Sequence, residues 1–403
     1  MNIWYLCKYV AKPGNGYVGM RPFYLMNELS NMECNIDLIT SSSSAFRTED
    51  DQKGTEVISS TFSFHQILGM QYRKAKSLSR IVSWLDFELR FFLSKKKNLR
   101  PPDVIMVSSP SVISILNGFI WSKWYKAKLV FEVRDIWPLT LIEEGGFSKK
   151  NPFIFILSIL ERWSYGVSDS IVGTMPNLRQ HVSNVAPGNE GKVICLPFGY
   201  PDRNPSKYFR SDYPTDNKNS NLVIGYVGTI GTTNALETLF EAIAHVNLVR
   251  PKIEFHIVGD GPLLGLYEEK YRDCDNIIFK GLLSKENVFE AMSTFDILYL
   301  STKKSEVWHY GQSLNKLVDY MLAGKPIIAS YSGFPSMIDE AGCGWFVEAE
   351  DSKALADKIL DLSAVDRGEL ISTGVKGREW ILKHRKYSSL ARDFKTHLLS
   401  IMS

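Results

Sequence analysis

The sequence predicts an α/β protein of two facing Rossmann-like domains, each built on a parallel sheet. Three observations carry this. Short apolar strands alternate with helical stretches along nearly the whole chain. A polar stretch rich in proline, asparagine and aspartate interrupts the alternation near its middle. The 403 residues are enough for two ordinary cores.

In the first half the expected strands are 3–6, 36–40, 104–108, 129–133, 170–173 and 192–197, with amphipathic helices such as 22–31 and 80–93 between them. Residues 200–221, "YPDRNPSKYFRSDYPTDNKNSN", read as a linker. In the second half the order is cleaner. Strand 222–226 precedes helix 235–248, and strand 254–258 precedes helix 263–272. Strand 277–279 precedes helix 285–293, and strand 297–300 precedes helix 314–323. Strand 326–329 precedes helix 335–341, and 345–347 is a final strand. Such alternation implies parallel sheets covered on both faces. The expected division is a first domain 1–200, a linker 201–221, a second domain 222–380, and a helical segment 381–403 packing back on the first domain. Ligands of such sheets sit beyond the carboxyl ends of the strands, so the cleft between the domains is the expected site.

Composition narrows the class. Hydrophobic residues make up 44% and charged residues 23%, which excludes a disordered chain. A net charge of +3 is too small to imply nucleic acid, and none is expected as a partner. The five cysteines (Cys7, Cys34, Cys195, Cys274, Cys343) are scattered and form no CxxC pair. That argues against a disulfide framework or zinc site and for a reducing, cytoplasmic compartment. Pro13 and Gly14 interrupt the start before a signal-peptide core can form. "FIFILSIL" (153–160) and "VISILNGFIW" (112–121) fall short of the ~20 residues that span a bilayer. The chain is expected to touch a membrane at most.

The loop "KPGNGYVGM" (12–20) holds Gly14-x-Gly16-x-x-Gly19, the spacing of a dinucleotide-binding turn. That reading needs an acid ending the second strand, but the strand "NIDLIT" ends in Thr40 and Asp37 lies mid-strand. Two readings are left: a flexible surface loop, or small residues admitting an anion to the helix N-terminus, with Arg21 adding charge.

A more specific stretch is "VWHYGQSLNKLVDYMLAGKPIIAS" (307–330). A strand ends before it, a loop follows with Gly311, Gln312 and Ser313, and a helix opens at Leu314 or Asn315. Loop amides and the positive end of a helix dipole suit a diphosphate, with Lys316 adding charge. Asp319, a turn in, is placed to accept from ribose hydroxyls. An ordinary helix with a polar start is the competing reading.

Here the residues resemble family 4 glycosyltransferases of the GT-B fold. The pattern Gly-x-Ser-x-Asn-Lys-x-x-Asp-Tyr-Met-x-x-Gly-Lys-Pro-Ile-Ile, then Glu340-Ala-Gly-Cys-Gly, is similar to their donor-binding region. "GYVGTIGTTNALETLFEAI" (225–243) is similar to the first donor-domain strand and loop, which places Gly228 and Thr229 at the donor. "FHIVGDGPLL" (255–264) adds Gly259 and Gly261, and "IIFKGLLSKENV" (277–288) resembles the nucleobase loop, with Leu282 and Leu283. "FEVRDIWPLTLIEEGG" (131–146) is similar to bacterial O-antigen and capsule transferases, including N-acetylfucosaminyltransferase-like members. The resemblance covers nearly the whole chain. Two departures stand out. The first of the family's two glutamates is replaced by Gly311, with Glu306 nearby, and the second by the shorter Asp319. The Arg and Lys that clamp the diphosphate are absent, Thr229-Ile230-Gly231 standing in their loop.

The resemblance implies retaining, metal-independent transfer of a sugar from a nucleotide sugar, UDP-linked, to a polyprenyl-diphosphate-linked saccharide in surface polysaccharide synthesis. Lys316, the amides of 311–315, and the Gly16–Gly19 loop with Arg21 would stabilise the leaving diphosphate. Asp135, just past strand 129–133, is the candidate that orients or deprotonates the acceptor hydroxyl; a structural ion pair involving Arg134 or Glu132 is the alternative. Asp273-Cys-Asp275 spells a metal motif, but it precedes strand 277–279 and so lies at the wrong end of the sheet.

Residues 70–100 are basic and aromatic. They read either as a solvated helix with a buried stripe (Ile81, Trp84, Leu85, Leu89, Phe92) or as contact with an anionic inner leaflet through Trp84, Phe91 and Phe92. Two other functions fit the same fold: a sugar-nucleotide epimerase or hydrolase, and a non-catalytic glycan-binding subunit.

Overall fold

The structure, a computed structural model, describes residues 1–10, 12–13, 20–43, 54–72, 78–109, 112–201, 221–249, 253–312 and 314–403. The chain divides into two compact units, Met1–Pro201 with Tyr387–Ser403, and Asp202–Lys386.

Unit 1 holds β1 (Asn2–Leu6), α1 (Arg21–Asn31), β2 (Asn35–Ser41), β3 (Gly54–Ser59), β4 (Phe62–Ile67), α2 (Leu78–Leu93) and β5 (Val104–Ser108). It continues through α3 (Ser114–Tyr125), β6 (Lys128–Val133), α4 (Leu139–Glu143), α5 (Pro152–Val167), β7 (Ser170–Gly173), α6 (Leu178–Val185) and β8 (Val193–Cys195). The strands form one sheet in the order β3-β4-β2-β1-β5-β6-β7-β8, parallel except for the β3–β4 hairpin. That hairpin was not expected; the β3 sequence "GTEVIS" is an exposed edge with no apolar run. Right-handed crossovers put α1 on one face and α2, α3 and α5 on the other. Trp4 of β1 marks the second face, its ring meeting Phe91 of α2 (6.4 Å between centroids) and Tyr125 of α3 (5.1 Å).

Unit 2 alternates without interruption: β9 (Val223–Val227), α7 (Leu236–Asn247), β10 (Glu254–Val258), α8 (Leu264–Lys270), β11 (Ile277–Gly281), α9 (Lys285–Ser293). Then follow β12 (Ile297–Ser301), α10 (Asn315–Leu322), β13 (Ile327–Ser330), α11 (Met337–Ala341), β14 (Gly344–Val347), α12 (Ser352–Ser363) and α13 (Arg367–His384). All six strands are parallel, in the order β11-β10-β9-β12-β13-β14. This is the doubly wound order in which the chain reverses direction between its first and fourth strands. The reversal point lies between the carboxyl ends of β9 and β12.

The remaining helix, α14 (Tyr387–Met402), belongs to unit 1. It lies on α1, with Tyr387 stacked on Tyr24 (5.7 Å) and the Lys395 ammonium donating to the Met32 carbonyl (2.6 Å). Leu390, Ala391, Phe394 and Leu398 complete the core that Phe23, Met26 and Leu29 begin.

Beneath α1, unit 1 buries a charged cluster. Glu132 pairs with Arg21 and accepts from the Tyr5 hydroxyl and from Ser108 (2.5 Å), while Arg21 also donates to the Leu196 carbonyl (2.6 Å). Burial alone would raise the Glu132 carboxyl, but the Arg21 and Arg134 guanidiniums outweigh it and hold it below the ordinary range. Removing one partner strands the other charge. Arg21→Met is therefore expected to lower stability in urea denaturation by about 3–5 kcal/mol, and the paired change Arg21→Met with Glu132→Leu to recover much of that loss. A neutral Arg21→Met would refute this account of the cluster.

Candidate functional site

At the reversal point of unit 2 the loops after β9 and β10 touch backbone to backbone. Gly228 N–H donates to the Val258 carbonyl (3.0 Å), Ile230 N–H to Asp260 (2.9 Å), and Leu263 N–H back to Ile230 (3.2 Å). A Cβ at Gly259 would overlap the Gly228 carbonyl oxygen, and Gly259 has φ +141°. Only glycine satisfies both demands. The β11 loop joins the same edge through Gly259 N–H to the Gly281 carbonyl (2.8 Å), which brings Leu283 and the exposed Leu282 alongside.

Lys316 reaches this loop cluster from the first turn of α10. Its ammonium donates to Asn234 Oδ1 (2.6 Å) and to the Tyr226 hydroxyl (3.1 Å), and it lies 4.9 Å from the Tyr226 ring centroid. A Cβ at Gly228 would stand 3.1 Å from the Lys316 Nζ. Tyr226 and Asn234 each donate in turn to the Thr229 carbonyl (2.7 and 2.9 Å). Among the described residues Lys316 forms no ion pair with a carboxylate, and burial pulls its pKa down to about 7. An ammonium that meets neutral oxygens is able to pair with an anion.

Around the start of α10 lie the other expected groups. Gly311 has φ +103°, Leu314 precedes the first helical residue with no side-chain cap, and Asn315 is exposed. Gln312 is buried, and neither of its amide atoms has a partner among the described residues. Asp319 is half-buried three residues beyond Lys316, on neighbouring surface of the helix. The structure thus gathers Gly228, Thr229, Gly259, Gly261, Leu282, Leu283 and Lys316 at one sheet edge. Ser313, Gly16 and Gly19 lie outside the described residues.

Three contributors escaped the sequence reading. Tyr226 and Asn234 hold the ammonium. Tyr320 accepts from Val227 N–H (2.8 Å) and points its hydroxyl hydrogen at the Val227 and Tyr299 carbonyls (2.9 and 3.2 Å), tying the end of β9 to the middle of β12. Tyr320 stood inside the quoted motif, and its strand partners are 93 and 21 residues away.

Arg21 is corrected. It was expected at a donor phosphate, but it is buried and committed to Glu132 in unit 1, so it offers no charge to a ligand. Asp37 is likewise structural, bonded to His65 (2.7 Å) and the Arg100 amide (3.2 Å). Asp135 does follow β6, and its residue surface is exposed. Ser109 Oγ accepts from the amides of Arg134 (2.9 Å) and Asp135 (3.3 Å), fixing the turn. Surrounding protein raises the Asp135 carboxyl, with Arg134 and Arg80 pulling the other way, and burial with the Asp135 charge brings Glu144 up to about 7. Asp273 and Asp275 precede β11, at the amino edge of the sheet.

Residues 221–364 match the family described as "Glycosyl transferases group 1". The chain is similar to the putative colanic acid biosynthesis glycosyltransferase WcaL of Salmonella typhimurium, 22% identical over 43% of this chain and 44% of that protein. It is similar also to the GDP-mannose-dependent alpha-(1-6)-phosphatidylinositol monomannoside mannosyltransferase of Mycobacterium tuberculosis, 25% identical over 34% of this chain and 36% of that one. These matches span less than half of either relative. A solved structure described as trehalose-6-phosphate from E. coli bound with UDP-2-fluoro glucose superposes with a TM-score of 0.74, covering 99% of each chain at 12% identity. The fold is GT-B, with two parallel-sheet α/β domains.

Gly259→Ala tests the loop crossing. It is expected to cost about 2 kcal/mol or more through clash and backbone strain, read as a lowered melting temperature together with weakened nucleotide binding. Unchanged values in both would refute the crossing.

Proposed function

We propose that this chain, which carries a group 1 glycosyltransferase domain at residues 221–364 within a GT-B fold, transfers a sugar from a UDP-linked donor to a lipid-linked saccharide in surface polysaccharide synthesis. The observation that carries the reading is Lys316 at the reversal point of the sheet, a cation with no carboxylate partner among the described residues. A diphosphate there supplies the missing anion, and the uncapped first-turn amides of α10 add donors. Negative charge grows on the leaving diphosphate as the sugar departs, so donors aimed at it bind the transition state more strongly than the ground state.

In this reading Asp319 accepts from the ribose hydroxyls and Leu282 and Leu283 lie against the base. Asp135 orients or deprotonates the acceptor hydroxyl from the turn after β6. Transfer proceeds with retention and without metal. The acceptor is a polyprenyl-diphosphate-linked saccharide, met at an inner leaflet through residues 70–100. The name of the Salmonella relative supports polysaccharide synthesis, and that of the mycobacterial one supports a lipid acceptor. The UDP in the E. coli structure supports uracil, whereas the mycobacterial relative uses GDP-mannose.

Turnover across a panel of UDP- and GDP-sugars, with and without lipid acceptor, tests the reading. Lys316→Ala and Asp319→Ala are each expected to lower kcat/KM at least tenfold; if neither does, the site is misplaced. Sugar-nucleotide turnover indifferent to acceptor would favour an epimerase or hydrolase instead. Lys316 also dictates a pH signature. Free, it loses its proton near pH 7, while a bound diphosphate favours the charged form, so binding takes up a proton above that pH. UDP affinity is expected to fall as pH rises from 7 to 9, by roughly tenfold per unit at most, and the slope to flatten in Lys316→Met. An equal slope in both proteins would refute the role of the lysine.

A further inference from the structure

The outer surface of unit 1 carries apolar side chains where solvated ones were expected. On α2 the buried apolar residues are Trp84, Phe87 and Phe91, whereas Val82, Leu85, Leu89 and Phe92 form a second stripe that faces outward. The expected buried stripe is corrected at Leu85, Leu89 and Phe92, which are exposed, while Trp84 is buried as expected; the expected membrane contact is corrected at Trp84 and Phe91, which both lie inside. Helix α3 repeats the arrangement with Leu116, Ile120 and Trp124, the last 75% exposed. Helix α5 does so with Phe155, Ile156 and Ile159, each more than half exposed.

The three helices are one layer. Phe92 of α2 meets Trp121 of α3 (6.0 Å), and Phe119 of α3 meets Trp163 of α5 (5.1 Å). The Lys96 ammonium lies over both Phe91 and Trp121 (4.4 and 4.5 Å), pinning the end of α2 to α3. Their outward stripes therefore share one side of the sheet, and apolar surface this extensive marks an interaction site.

Charge identifies the occupant. Every acid on these helices is turned inward or neutralised. Glu88 is buried and accepts from Ser114 and Asn117, Glu161 is buried against His181 (2.7 Å) and Tyr165 (2.9 Å), and Asp86 pairs with Arg90 (2.6 Å). Exposed lysines stand at the helix ends: Lys95 and Lys97 after α2, Lys123 and Lys126 at the end of α3, Lys149 and Lys150 before α5. An apolar band with basic ends and no free acid complements an anionic lipid surface. A second copy of the chain would set like charges against each other.

We propose that the combined outer face of α2, α3 and α5 seats unit 1 on an anionic lipid bilayer, with Leu89, Trp124 and Ile156 at the acyl boundary and the lysines at the headgroups. The inference rests on the membrane contact proposed for residues 70–100 and enlarges it to two helices outside that stretch. No helix among the described residues is long and apolar enough to cross a membrane, so the contact is interfacial.

Vesicle flotation of the full chain tests it, using phosphatidylcholine alone and phosphatidylcholine with one-quarter phosphatidylglycerol. Binding is expected only to the anionic vesicles. Lys95→Ala with Lys97→Ala and Lys123→Ala should weaken it roughly a hundredfold, and Phe155→Ser with Ile156→Ser and Ile159→Ser at least about tenfold. Circular dichroism and UDP binding, read on the same variants, establish that each is folded and keep this outcome separate from that of the donor site. Loss of the wild-type tryptophan blue shift in Trp124→Phe gives a second readout without changing charge. If the lysine variant weakens binding and the α5 variant does not, α5 is no part of the surface and the enlarged proposal is wrong, while contact through the ends of α2 and α3 stands. No vesicle binding by the wild type overturns both, and self-association abolished by the α5 changes would assign the face to a second copy.

Discussion

The second unit is organised around the Lys316 ammonium, whose hydrogen-bond partners among the described residues are neutral oxygens. Enclosing the Lys316 ammonium among neutral oxygens is unfavourable, as its depressed pKa records. Each neighbouring feature bears on that position. Tyr226 and Asn234 hold the nitrogen, and both lean on the Thr229 carbonyl. That carbonyl is fixed because the β9 loop is sewn to the β10 loop at Gly259, where no side chain fits. Tyr320, four residues beyond Lys316 on the same helix, ties α10 to the end of β9 and the middle of β12 and so fixes where the helix lies.

The first unit meets the same situation in the opposite way. Charged groups again cluster at the carboxyl ends of central strands, but Glu132, Arg21, Tyr5 and Ser108 satisfy one another internally. A self-neutralised cluster offers little to an anion. Two sheets of related topology thus differ: the first pairs its charges with one another, whereas in the second the Lys316 ammonium meets neutral oxygens among the described residues.

Local pattern made the second unit legible. Its strands begin and end within a residue or two of the apolar runs, the segment 307–330 named Lys316, and the segments 225–243, 255–264 and 277–288 named the loop residues around it. What escaped depends on partners distant in sequence. Arg21 looked free for a ligand because Glu132 stands 111 residues away. Asn234 and Tyr226 gain meaning only once Lys316 arrives from 82 and 90 residues further on. The stripe on α2 was misread for another reason: both faces of that helix are apolar, so periodicity marks a helix without saying which face turns inward. The hairpin β3–β4 gave no signal because its outer strand buries almost nothing.

The placement of α14 has a consequence for biosynthesis. Unit 1 is discontinuous, since Tyr387–Met402 supplies the layer that covers α1. On the ribosome that layer emerges only after the entire intervening unit has been translated. Until then, Phe23, Met26 and their neighbours lack their cover. A nascent chain therefore cannot finish its domains in the order in which they are encoded, and the first to appear is the last to close.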